Sequence, residues 1–74
     1  MKMALMNLSA YRCPMILLLA KRACIQLQVD QTLKLLVTDS ASIGDILRYV
    51  RLNGFAASSK KRGEITELYI KIKR

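Results

Sequence analysis

A single proline in 74 residues, Pro14, constrains this chain more than any other position. Proline has no N–H to give and clashes with the preceding turn of a helix, so it is at home only in a first helical turn or a connector. Pro14 therefore predicts that a helix opens there, after the loop Tyr11-Arg12-Cys13-Pro14. The other breakers are Gly44, Gly54 and Gly63, and the apolar periodicity between them resolves into six segments.

Met3 to Leu8 reads as a short first strand. The helix from Pro14 to about Leu27 places Leu17, Ala20, Cys24 and Leu27 on one buried face. Val29-Asp30-Gln31 is a connector. Thr32 to Thr38 alternates as a strand, with Leu33, Leu35 and Val37 on one face and Lys34, Leu36 and Thr38 on the other. Ser42 fits an N-cap, with Asp45 three residues on, for a second helix over about Ile43 to Asn53. Its apolar stripe is Ile43, Ile46, Leu47 and Val50, its wet face Asp45, Arg48 and Arg51, and Gly54 stops it in a left-handed turn. Phe55 to Ser59 is a third strand, Lys60 to Gly63 a hairpin loop, and Glu64 to Lys73 the last strand. Ile65 is out of step with Leu68, Ile70 and Ile72, which predicts a bulge near Thr66. The expected fold is α+β: a β-α-β-α-β-β order, two helices on one face of a four-stranded mixed sheet, in a single domain over residues 1–74.

Composition excludes several functions. There is no histidine, which removes the commonest general base and metal ligand; two cysteines alone cannot make a four-ligand zinc site. No metal and no cofactor are expected. The densest apolar run, Met15 to Ala20, falls far short of the roughly 20 residues of a membrane span, and Met1 to Leu8 does not read as a signal peptide. Two cysteines without a secretory segment point to the reducing cytoplasm, with no disulfide framework and no membrane partner.

The two cysteines differ by position. Eleven residues apart on one helix, they would lie roughly 16 Å apart, too far for a disulfide. Cys24 sits among Ala20, Ala23 and Leu27 and reads as a buried apolar residue. Cys13 is expected at the mouth of the helix, where free N–H groups and the helix dipole favour the thiolate, with Arg12 adding positive charge and Pro14 setting the entry angle. An exposed thiolate without a base beside it suits a group carrier and suits a hydrolase poorly.

At this point the chain resembles a known family, the TusA/SirA-like sulfur carriers. The resemblance rests on Asn7-Leu8-Ser9-Ala10-Tyr11-Arg12-Cys13-Pro14, on Thr38-Asp39-Ser40-Ala41-Ser42-Ile43-Gly44-Asp45-Ile46, and on the closing Leu68 to Lys73. It implies a β-α-β-α-β-β fold like that of the C-terminal domain of bacterial translation initiation factor 3. It also implies a persulfide on Cys13, loaded by a cysteine desulfurase or another sulfurtransferase and passed to a downstream acceptor protein. In the best-known pathway the sulfur ends in a thiolated tRNA base, so tRNA is an expected neighbour. On this reading the protein is a sulfurtransferase-like relay rather than a catalyst turning over a small substrate. Ile16 stands where the family usually has a second proline, Asn7 where an aspartate is common, and Ser40 and Leu47 where prolines are common.

Two other readings stay open. A net charge of +8 implies an acidic partner, nucleic acid or an anionic surface. Lys60, Lys61 and Arg62, with Lys71, Lys73 and Arg74, form a candidate basic patch for RNA or DNA, with Tyr69 the aromatic best placed in it. The missing second proline motivates the other alternative, a member of the family that binds a sulfurtransferase without carrying sulfur.

Overall fold

The computed structural model describes residues 2–12 and 15–72, and of Lys2 only the main chain. Six elements follow in the expected order: β1 (Lys2–Asn7), α1 (Met15–Ile25), β2 (Gln31–Val37), α2 (Ser40–Leu52), β3 (Phe55–Arg62) and β4 (Ile65–Ile72). The sheet order is β1-β2-β4-β3, with β1 parallel to β2 and the other pairs antiparallel. Among the described residues no helix is long and apolar enough to cross a membrane.

One face of the sheet carries the core. Leu33, Leu35 and Val37 of β2 and Leu68 and Ile70 of β4 are buried there against Ile46 and Val50 of α2. From α1 come Ile16, Ala20 and Cys24, all at 2% exposure or less. This corrects the expected stripe of α1. Ile16 takes the first buried position and Leu17 packs at the side, because positions 16, 20 and 24 are each four apart and stack along one helix face. Leu27 is buried as expected, but beyond the helix, which tightens at its end as the Leu27 N–H donates to the Cys24 carbonyl at 3.2 Å.

The second helix starts earlier than expected. Asp39, not Ser42, is its N-cap: Asp39 is extended, with φ −84° and ψ 110°, and its carboxylate accepts from the Ala41 N–H at 3.2 Å. Ser42 falls inside the first turn, fully buried, and its hydroxyl donates to Asp39 Oδ2 at 3.0 Å. Burying Ser42 is tolerable because this bond satisfies the hydroxyl. The stripe Ile43, Ile46, Leu47 and Val50 faces inward as the periodicity predicted. At the other end Gly54 adopts φ +81°, the left-handed stop that favours glycine.

The hairpin differs most from expectation. β3 runs on through Lys60, Lys61 and Arg62, and the turn is only Gly63-Glu64, with Gly63 at φ +58°. A two-residue hairpin turn needs such a positive φ, so the glycine fixes the turn at Gly63 and pulls the three cations into the strand. The bulge near Thr66 does not form. β4 pairs without interruption from Ile65 to Ile72 with β3, and from Thr66 to Lys71 with β2. Ile65 falls out of the apolar step because it lies on the face away from the helices, where it is 38% exposed.

That uncovered face holds a buried carboxylate. Glu67 is paired in register with Leu36 on one side and Lys60 on the other. Its oxygens take Lys34 Nζ at 3.2 Å, Arg62 Nε at 3.3 Å and the Tyr69 hydroxyl at 3.0 Å. Burial pushes the Glu67 carboxyl up, but the hydrogen bonds from Lys34 and Tyr69 and the charges of Arg62 and Lys34 outweigh it, so the group titrates below the ordinary value of 4.5. The bond to Glu67 in turn raises Lys34 above 10.5.

Replacing Ile16 with Ala should destabilise the fold by about 2–5 kcal/mol in urea unfolding, while Leu18→Ala on the exposed face of α1 should cost far less. A second measurement addresses Glu67. With its folded-state pKa depressed, the unfolded chain binds the extra proton. The stability from this cluster is thus fully present above about pH 4.5 and is lost as pH falls through the folded value. The urea midpoint of the wild type should therefore fall more steeply below pH 4.5 than that of Glu67→Gln; parallel curves would contradict this.

Candidate functional site

Parallel pairing of β1 with β2 sends both strands toward the same end of the sheet, where α1 and α2 both begin. The two strand-to-helix corners are tied together there. The Leu8 N–H donates to the Leu36 carbonyl at 2.8 Å, extending the β1–β2 pairing one step. Asn7 folds the chain back: its Oδ1 accepts from the Ser9 N–H at 3.0 Å and from the Ser9 hydroxyl at 2.6 Å, a side-chain-closed turn. The Tyr11 N–H then donates to the Leu8 carbonyl at 3.1 Å. From the second corner, the Thr38 hydroxyl donates to the Ser9 carbonyl at 3.3 Å.

A polar cleft of about 480 Å³ opens between these corners, lined by Ser9, Ala10, Tyr11, Arg12, Thr38 and Asp39. Arg12 is exposed on this cleft, and its carbonyl accepts from the Ile16 N–H at 3.2 Å. Cys13 and Pro14, the residues on which the sequence reading turns, lie outside the described residues. Their described neighbours Arg12 and Met15 are both exposed. Thr38 also borders a second cavity of about 640 Å³, which reaches Ser40, Lys61 and Glu64.

Cys24 is 2% exposed in the core. Burial pushes its thiol up to about 11, so at neutral pH it is a protonated SH and a poor nucleophile. This matches its reading as a structural residue. It leaves Cys13 as the candidate for thiol chemistry.

Among the described residues, the candidate basic patch divides between the two faces of the sheet. Because β3 is a strand through Arg62, its side chains alternate. Lys61 lies on the helix side and lines the second cavity, while Lys60 and Arg62 lie on the uncovered face, where Arg62 is engaged with Glu67. Lys71 shares that uncovered face; Lys73 and Arg74 lie outside the described residues. Tyr69 is half-buried, its hydroxyl on Glu67 and the Lys34 ammonium 5.6 Å from its ring centre. Sequence reasoning missed the roles of Asn7, Thr38 and Asp39. The signal for Asp39 was available, since an aspartate directly after a strand is the first cap the chain meets. The Thr38–Ser9 contact spans 29 residues and has no local signature.

Comparison with known proteins gives one match. The family model described as "Sulfurtransferase TusA" matches residues 5–72, which includes both corners, both helices and almost all of the sheet. No curated protein and no solved structure matches the chain significantly. With nearly its whole length matched, the chain belongs to the TusA sulfurtransferase family.

Proposed function

We propose that residues 1–74 act as a single sulfur-carrier domain in which Cys13 holds sulfur as a persulfide. The observation that carries this reading is the family match over residues 5–72, which includes Arg12-Cys13-Pro14. The burial of Cys24 supports it by leaving one candidate thiol. In the proposed step the Cys13 thiolate attacks the outer sulfur of a persulfide on a donor, a cysteine desulfurase or another sulfurtransferase. The new S–S bond forms on Cys13 as the donor's S–S bond breaks, and the electron pair leaves with the donor's cysteine thiolate. Transfer onward repeats the exchange with a thiolate of an acceptor protein, in a relay that ends in processes such as tRNA thiolation. No net redox change occurs and no cofactor or metal takes part.

Each neighbour has a role in this reading. Arg12 supplies positive charge beside the thiolate, the opening of α1 supplies N–H dipoles, and Pro14 sets the direction of entry. The cleft at Arg12 and Thr38 gives a partner's loop access from the side. A relay of free thiolates belongs in a reducing compartment, which favours the cytoplasm. The division of Lys60, Lys61 and Arg62 between two faces weighs against the alternative of a nucleic-acid module built on that triplet.

Incubation with a cysteine desulfurase and cysteine, followed by intact-mass measurement, tests the proposal. Wild type and Cys24→Ala should gain one sulfur atom, lost again on reduction, and Cys13→Ser should gain none. Absence of the gain in wild type, or an equal gain in Cys13→Ser, overturns it.

A further inference from the structure

The sheet face turned away from the helices is uncovered, and its side chains are sorted. On β1 stand Met3 and Leu5, 62% and 65% exposed, with Thr32 and Lys34 opposite them on β2 and half-buried Leu36 one step further along β2, opposite Asn7. Toward β3 stand the cations. Among the described strand residues of this face Glu67 is the one carboxylate, and it is already held by Lys34, Arg62 and Tyr69. Lys60 and Lys71 have no carboxylate within ion-pair distance among the described residues. The face thus carries an apolar diagonal from Met3 and Leu5 to Leu36, spare positive charge at Lys60 and Lys71, and a bonded cluster between them that holds Lys34 and Arg62 in place.

Charge selects the occupant. A second copy of the chain would bring the same cations, from a molecule of net charge +8. A single-stranded nucleic acid would match the charge, but it needs aromatic platforms on which bases stack. This face offers one ring, Tyr69, with a lysine ammonium over it. Met3, Leu5 and Leu36 instead suit aliphatic side chains. Four strands set roughly 4.8 Å apart span about 14 Å, wide enough for a helix of roughly 10–12 Å diameter.

We propose that this face docks an acidic amphipathic helix of a partner protein, with its apolar side chains on Met3, Leu5 and Leu36 and its carboxylates over Lys60 and Lys71. Docking on this face does not depend on the sulfur-carrier reading.

The test uses the ¹⁵N-labelled full chain. The probe is a peptide of about eighteen residues, long enough to be partly helical, with leucines at heptad spacing, glutamates along one flank of that stripe and alanines and glutamines elsewhere. Amide shifts should concentrate at Leu5, Lys34, Tyr69 and Lys71 and spare Arg48 and Arg51 on α2. Leu5→Ser and Lys60→Glu, both at exposed positions, should each weaken binding at least threefold, while Cys13→Ser should bind like wild type. Retained binding in Cys13→Ser keeps this result distinct from the fate of the persulfide proposal. Shifts centred on the helices, or equal binding of the same peptide with lysines for its glutamates, would overturn it. So would tighter binding of an oligouridine at this face, or protection of the face by self-association in sedimentation.

Discussion

The parallel pairing of β1 with β2 is the constraint on which the rest of this structure depends. An antiparallel pair can be joined by a tight turn, but a parallel pair needs a crossover, and here α1 is that crossover. The geometry brings the start of α1 and the start of α2 to one end of the sheet, since each helix follows a strand running the same way. The Leu8–Leu36 and Ser9–Thr38 bonds then lock the two corners together. The first corner, through Arg12, is thereby braced beside a polar cleft, and Arg12 and Met15 are exposed.

Ile16 shows how this chain secures that corner. A proline is usual here in the family, and proline would bring a fixed φ but no N–H. Ile16 supplies both an N–H, bonded to the Arg12 carbonyl, and a fully buried side chain that ties the opening of α1 to the core. The departure from the family pattern therefore exchanges backbone stiffness for packing. Arg12, whose carbonyl takes that bond, is itself exposed.

Most of the fold was legible because the signals were local. Alternation in Leu33, Leu35 and Val37, the helical stripe of Ile43, Ile46 and Val50, and the left-handed Gly54 each depend on residues within one element. The errors arose where two local signals competed. Ser42 and Asp39 could both cap α2, and the earlier one closed the first turn while the later one was buried. Lys60 to Arg62 read as a loop because cations are uncommon strand formers, but pairing with β4 carried them into the sheet and left Gly63 to turn. The buried Glu67 could not be foreseen, because Lys34 and Arg62 come from the two neighbouring strands and only the register brings them to it. The candidate site was read from residue types alone, Arg12-Cys13-Pro14, and the bracing of its corner was not legible, since the Asn7 turn and the Thr38 contact are built by the folded chain.

The central claim is that position alone, at the opening of α1 beside Arg12, makes Cys13 a thiolate without a histidine. The rate of alkylation by iodoacetamide, followed at Cys13 by peptide mass across a range of pH, tests it most directly. The account predicts a midpoint below the roughly 8.5 of a free cysteine, moving upward in Arg12→Gln, with Cys24 unreactive throughout. A Cys13 midpoint at or above that of a free cysteine, unchanged by Arg12→Gln, would contradict it.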